Sequence, residues 1–233
     1  MSRLRIAIQG FNLFEVNSII TGPTAEDLRD LNSREEDATP LEILVKKTHT
    51  AILQYSALQM PTYIMNVVKD TILQSISLCN RLIDLGTDLT SLNIIGTIPM
   101  QLLNDEEVVE FRAPSFEMRR NLPALYNDAM DLSNKLFDCF IRPGIVSIQG
   151  HRDRTVLLYS AFIGDIYLIN KILVAGGREL LNIPDSKGHT PLASIIHKMT
   201  YGGMSLDQIA TGDIMVQEYI AGAIGERSED IGE

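Results

Sequence analysis

The chain has 233 residues, of which 45% are hydrophobic, and this length is enough to bury a stable core without disulfides or metal ions. An excess of acidic residues gives a formal net charge of −10, which argues against nucleic acid or anionic lipid as a general partner because both attract positively charged surfaces. The sequence shows neither a secretory signal pattern nor an uninterrupted apolar run of about 18 residues, so we expect a cytoplasmic protein without membrane insertion.

The first predicted element is a short helical hairpin. Ala7 lies three residues before Gly10, and Gly22 lies twelve residues after it. We expect Gly10 to allow a tight turn between two helices, because glycine adopts backbone conformations that other residues avoid. Apolar residues that would pack against the next element lie between the two glycines: Val16, Ile19 and Ile20.

Two long helices are predicted next. Thr39 followed by Pro40 is a typical helix start, because threonine caps the first turn and proline suits a position that needs no donor. Residues 41–60 contain neither glycine nor proline, and the apolar residues of 62–85 recur at intervals of three or four, as expected of a helix. Gly86 is expected to end the second helix in a left-handed conformation.

The third segment has a less regular pattern. Residues 104–110 are predicted to form the acidic end of a helix, 111–123 an exposed connection with basic and aromatic residues, and 124–141 another helix. The connection contains Phe116 and Arg119, and aromatic residues and arginine often carry the binding energy of protein interfaces. We therefore include both among the candidate partner contacts.

The C-terminal part has the most regular pattern. Thr155 is predicted to start a helix, and Ala161, Gly164 and Gly176 repeat the spacing of the N-terminal hairpin. The glycines would again allow a turn and end the second helix. The remaining predicted elements are a helix over 190–198, a final helix over 205–224 and a disordered acidic tail over 226–233.

The run from Thr155 to Leu192, with its recurrence around Gly10 and Gly86, resembles an ankyrin repeat. The resemblance implies an all-α solenoid of helical hairpins joined by short fingers, in a single elongated array over 1–225. The histidine that usually follows Thr-Pro-Leu is absent, and two middle units exceed the regular period by about 25 residues each. A second interpretation, a helical domain followed by two C-terminal ankyrin units, stays open. The units of the array would cover about 1–38, 39–97, 98–154, 155–189 and 190–225.

Ankyrin arrays hold their partners with the fingers and the first helices of the units. The resemblance therefore implies a noncatalytic scaffold that binds one or more proteins. Such irregular arrays are familiar among bacterial effectors, which would act on host proteins in the host cytoplasm. We expect fingers at 34–38, 91–95, 149–154 and 185–189. The predicted partner contacts are Arg34, Glu35, Asn93, Phe116, Arg119, His151, Arg152, Lys187 and His189. For Asp185 and Asn93, stabilisation of their own turns is the favoured alternative.

The alternative function is an enzyme or an enzyme-regulating helical protein with a cleft near Cys139, His151 and Asp153, which in an enzyme could act as nucleophile, base and orienting acid. Against it, Cys139 lies in an apolar helical stretch, where a buried thiol is expected. The histidines and cysteines lack the short paired spacings of a structural zinc site, and no glycine-rich loop begins a helix as a phosphate site requires. The sequence thus predicts no cofactor and no metal, and it leaves the oligomeric state open.

Overall fold

The computed structural model describes residues 2–34, 38–89, 97–112 and 122–194, which are mostly helical and contain no strand. The predicted elements over 205–224 and 226–233 lie outside these ranges. The all-α fold class is confirmed for the described residues, whereas the solenoid arrangement stays a prediction. The helices are α1 (Arg3–Gln9), α2 (Leu13–Thr21), α3 (Ala25–Asp30), α4 (Pro40–Ser56), α5 (Thr62–Asp84), α6 (Ile98–Leu102), α7 (Glu106–Arg112), α8 (Tyr126–Asp138), α9 (Pro143–Val146), α10 (Val156–Ile163) and α11 (Ile166–Val174), with 3₁₀ turns at His151–Asp153 and Gly177–Asn182.

The chain divides into two compact units. The first comprises Met1–Asn93 with Leu122–Phe140, and the second comprises Ile94–Asn121 with Ile141–Glu233. The predicted repeat unit 98–154 thus contributes residues to both.

In the first unit, α1 and α2 form a hairpin that packs against the long helices α4 and α5, and α8 packs against the same two helices. The predicted start of α4 is confirmed: Thr39 accepts a hydrogen bond from the Glu42 amide (3.3 Å), and the Glu42 carboxylate accepts one from the Thr39 amide (2.6 Å). The α4 helix has 17 residues and α5 has 23. α4 ends at Ser56, short of residue 60, where the predicted helix ended.

One prediction about the first hairpin is wrong. Gly10 has an ordinary helical φ of −74°, and the left-handed residue is Phe11, with φ of 52°. The reason is the hydrogen bond from the Asn12 amide to the Ala7 carbonyl (2.9 Å), which defines a Schellman motif whose left-handed position is the residue before the donor. That residue is Phe11.

The predicted left-handed conformations of Gly86 and Gly176 are confirmed, and Gly164, which was predicted to allow a turn, is left-handed too. Gly86, Gly164 and Gly176 have φ values of 96°, 77° and 98°. Gly86 follows the end of α5, Gly164 lies between α10 and α11, and Gly176 follows α11. Each therefore ends a helix where a side chain would be strained.

The second unit contains α6, which packs against α10, and the α10–α11 hairpin. The prediction that residues 104–110 form the end of a helix is wrong, because Glu106 and Glu107 form the first turn of α7. Negative charge in the first turn interacts favourably with the helix dipole. Phe111, predicted to lie in an exposed connection, is buried on α7. The predicted start of α10 is confirmed, because Thr155 accepts a hydrogen bond from the Leu158 amide (3.2 Å).

Candidate interaction site

Two of the predicted fingers are well-defined turns in the second unit. In finger 149–154 the Gly150 amide donates to the Arg154 carbonyl (2.8 Å), and in finger 185–189 the Asp185 amide donates to the His189 carbonyl (2.9 Å). The Ser186 amide donates to the Arg152 carbonyl (2.8 Å). This last bond joins the two fingers through their backbones, so their tips form one surface, which we call the finger surface (residues 149–154 and 185–189).

Asp185 holds its own finger together. Its Oδ1 accepts hydrogen bonds from the Lys187 amide (2.8 Å) and the His189 amide (2.9 Å), while Gly188 takes the left-handed conformation that the turn requires. Burial alone would raise the pKa of Asp185, but the hydrogen bonds from the two backbone amides, together with the hydrogen bond and charge of the His189 side chain, outweigh it and lower the pKa to about 2. The alternative interpretation of Asp185, as a residue that stabilises its own turn, is confirmed.

Finger 149–154 reaches its turn differently. Arg152 and Asp153 both have positive φ, 61° and 58°, and the Arg154 amide donates to the His151 carbonyl (3.4 Å). This is the geometry of a type I′ turn, in which asparagine and glycine are favoured at the two central positions. Arginine in the left-handed region is disfavoured by about 1–2 kcal/mol, so the tip is strained.

Arg154, at the end of finger 149–154, packs against two aromatic rings and lies close to Asp185. Its guanidinium carbon lies 5.1 Å from the centre of the Phe162 ring and 5.6 Å from that of Tyr159. The Arg154 Nε lies 3.5 Å from Asp185 Oδ2, close enough for an ion pair but without the alignment of a hydrogen bond. The Arg154 side chain is 20% exposed, so it is largely covered by these contacts.

His189 contacts both Asp185 and Phe162 and is also exposed to solvent. Its Nδ1 lies 3.3 Å from Asp185 Oδ2, and its ring meets Phe162 edge to face with centroids 6.3 Å apart. The His189 side chain is nevertheless 51% exposed. A ring that is fixed on one edge and open on the other is suited to contact a partner at a small cost in side-chain entropy.

The structure brings together four of the predicted contacts, His151, Arg152, Lys187 and His189, all exposed on the finger surface. It places Arg34 elsewhere, in the first unit, where its Nη2 lies 3.0 Å from Glu42 Oε1. Because Glu42 caps α4, this ion pair gives Arg34 a structural role. The other four predicted contacts, Glu35, Asn93, Phe116 and Arg119, lie outside the described residues.

The residues of the alternative enzyme are in different surroundings. Cys139 is buried in the first unit, 3% exposed, with its Sγ 3.4 Å from the Lys135 carbonyl. His151 and Asp153 are exposed on the second unit. Burial raises the pKa of the Cys79 thiol, and the neighbouring Cys139 adds to this shift, so neither predicted buried thiol needs revision. Within the described ranges, no group of three or more metal-ligating side chains lies together.

Sequence reasoning missed a second surface, in the first unit. An open groove of about 530 Å³ lies along α4 beside Phe11, and Lys46 and Lys47 are part of its wall. A signal was present in the sequence: from residue 43 to residue 69 there is no aspartate or glutamate, although the chain contains 30 acidic residues.

No model of a known protein family and no curated protein sequence matches the chain. Among the helices that the structure describes, none is both long and apolar enough to cross a membrane.

Proposed function

We propose that the chain is a noncatalytic protein–protein interaction scaffold of the ankyrin-repeat type, and that the finger surface binds the partner. The observation that supports this most is the hydrogen bond from the Ser186 amide to the Arg152 carbonyl. It fixes two exposed turns relative to each other before any partner arrives. A surface that is already ordered loses less conformational entropy on binding, which increases affinity.

The chemistry of the finger surface also supports a protein partner. Arg152 and Lys187 are exposed, and arginine is enriched among the residues that contribute most to protein interfaces. The strained backbone at Arg152 is a further argument, because strained residues cluster at functional positions. A role as a bacterial effector acting on host proteins follows from the ankyrin resemblance and is part of the same proposal.

The test is affinity capture with the full chain, followed by identification of bound proteins by mass spectrometry. The variant carries Arg152→Ala and Lys187→Ala on the finger surface. Its matched control carries Lys135→Ala and Lys171→Ala, which remove the same charge from helices α8 and α11. We expect a protein that wild type and the control recover and the finger variant loses.

Circular dichroism should show the same helicity and melting temperature for the finger variant as for wild type, because both substituted side chains are exposed. A partner that the finger variant recovers as well as wild type does would overturn the finger surface as its binding site. Recovery of no specific protein by any form of the chain would overturn the scaffold proposal itself.

A further inference from the structure

The groove of the first unit follows one face of α4. Its walls are Phe11 from the turn between α1 and α2 and six residues of α4: Ile43, Lys46, Lys47, Thr50, Ala51 and Gln54. These recur at intervals of three and four, so they share one face of the helix, and they extend over about 16 Å of its axis. A volume of about 530 Å³ falls within the range of roughly 300–1,000 Å³ that is usual for ligand sites.

Phe11 is held in this wall against its backbone preference. It has φ of 52° at a helix-ending position where glycine is the usual residue, and a bulky residue in this conformation is a true outlier. The equivalent position after α10 is Gly164. A phenylalanine that is half-buried at a position favouring glycine is better explained by what its ring contacts than by the turn itself, and its ring lines the groove.

The charge of the groove is opposite to that of the chain. Among the described residues no ion pair includes Lys46 or Lys47, and the lining residues include no acid. The nearest acids in sequence are Glu42, already engaged at the start of α4, and Asp70. The groove is therefore a local basic site with apolar walls on a chain of net charge −10.

We propose that this groove binds an acidic segment of a partner protein that carries a large apolar side chain. The apolar side chain would lie between Phe11, Ile43 and Ala51, and neighbouring carboxylates would pair with Lys46 and Lys47. A second copy of this chain is a poorer occupant, because two molecules of net charge −10 repel each other. Nucleic acid is disfavoured by the same field and by the limit of two lysines, since each phosphate contact needs its own cation. The inference deepens the proposed function and rests on it, because both describe a protein-binding chain.

The experiment is a selection of random 12-residue peptides displayed on phage against the full chain, followed by fluorescence anisotropy with the enriched peptides as synthetic probes. We expect enrichment of peptides with several Asp or Glu residues around one Phe, Leu, Ile or Trp. Their affinity should fall about 10-fold or more in Lys46→Glu/Lys47→Glu, because two attractions become repulsions. Affinity should also fall as salt is raised, since exposed charges are screened over about 10 Å at 0.1 M.

The control is Lys135→Glu/Lys171→Glu, which changes the net charge by the same amount on other helices and should leave the peptide affinity within about twofold, because distant exposed charges are screened. Ile43→Gln tests the apolar wall and should weaken the same peptides while leaving the lysines in place. Any one of the following results would overturn the proposal: selection of peptides that are not acidic, selection of none, or acidic peptides that bind Lys46→Glu/Lys47→Glu and wild type equally. Tighter binding of single-stranded DNA than of the peptides would do the same.

The groove proposal and the proposed function can fail separately. Capture of a partner that requires Arg152 and Lys187 would support the finger surface. If capture of the same partner does not require Lys46 and Lys47, and if its acidic segments do not bind as peptides, the groove is overturned as the site for that partner. The reverse pattern would support the groove and overturn the finger surface.

Discussion

The two short hairpins of the molecule, α1–α2 and α10–α11, end their first helices with the same hydrogen bond and different residues. The Asn12 amide reaches the Ala7 carbonyl at 2.9 Å, and the Asp165 amide reaches the Ser160 carbonyl at 3.0 Å. The left-handed residue is Phe11 in the first and Gly164 in the second. The same turn can therefore be made with or without strain, and the strained version exposes a side chain to the groove.

The two fingers differ in the same way as the two hairpins. Finger 185–189 uses Gly188 at positive φ, whereas finger 149–154 uses Arg152 and Asp153. Among the described residues, Phe11, Arg152 and Asp153 are the non-glycine residues with positive φ, and all three lie on the surfaces to which we assign binding. Strain at these positions lowers stability and keeps a particular side chain in place, as is common at functional sites.

The two hairpins should differ most in the free energy of unfolding that is lost when the residue capping their second helix is replaced by alanine. Asp165 accepts a hydrogen bond from the Leu168 amide (3.0 Å) and pairs with Arg112, and both side chains of the pair are buried. Asp165→Ala leaves the arginine buried without its carboxylate, so we expect a loss of about 3–5 kcal/mol in the free energy of unfolding. Urea denaturation measures this loss.

The counterpart in the first hairpin is exposed. Asn12 accepts a hydrogen bond from the Glu15 amide (3.2 Å), and Asn12→Ala should lower the free energy of unfolding by only about 1 kcal/mol, as for an ordinary helix cap. Equal losses in the two variants would show that the Arg112–Asp165 pair adds nothing beyond the cap.

A smaller effect is expected in finger 185–189, where the contribution of Asp185 to the free energy of unfolding should depend on pH. Asp185→Ala removes two hydrogen bonds from backbone amides and should lower the free energy of unfolding by about 2 kcal/mol at pH 7. Because the folded pKa of Asp185 is lowered to about 2, its contribution is fully present above the unfolded pKa of about 4 and is lost as the pH falls towards 2. The measurement is urea denaturation of wild type and Asp185→Ala at pH 7 and pH 3. A gap between them that does not narrow at low pH would contradict the role of the carboxylate; Asp131→Ala, at an exposed position on α8, is the control.

Exchange of the left-handed residues tests the strain directly. Gly164→Ala should lower the free energy of unfolding by about 1–2 kcal/mol, because alanine is disfavoured at φ of 77°. Phe11→Gly should raise it by up to about 1 kcal/mol, because relief of the left-handed strain at φ of 52° exceeds the entropy that glycine adds to the unfolded chain; it should also weaken the binding of acidic peptides at the groove. A loss of stability in Phe11→Gly would mean that the packing of the ring outweighs the strain of the turn.

The smallest effect is at the tip of finger 149–154. Asparagine tolerates the left-handed conformation better than arginine does, so Arg152→Asn should raise the free energy of unfolding by about 0.5 kcal/mol. Partner binding should fall in the same variant, because the arginine side chain is lost. Differential scanning fluorimetry and the capture experiment measure the two effects, and unchanged capture would contradict a binding role for Arg152.

The parts of the fold that the sequence predicted are those in which one residue determines a local conformation. Thr39 and Thr155 start helices, and Gly86, Gly164 and Gly176 end them, because caps and left-handed positions select few residue types. Phe11 could not be predicted, since nothing in its own residue type favours positive φ. Phe11 has positive φ because the hydrogen bond from the Asn12 amide to the Ala7 carbonyl places it at the left-handed position of a Schellman motif.

The candidate sites were predicted unevenly for a related reason. The resemblance located fingers 149–154 and 185–189, because turn residues are placed by spacing. It missed the Arg112–Asp165 pair, which joins residues 53 positions apart, and the groove, which requires Phe11 to face α4. The acid-free stretch from 43 to 69 was the one signal of the groove that the sequence itself contained.

We propose above all that the finger surface holds a partner protein. The most direct measurement is site-specific photo-crosslinking, with p-benzoylphenylalanine in place of Lys187 on the finger surface or, as a control, in place of Asp131 on α8. We expect a protein recovered by affinity capture to be crosslinked at position 187 and not at position 131. Crosslinking of that protein at position 131 and not at position 187 would contradict it.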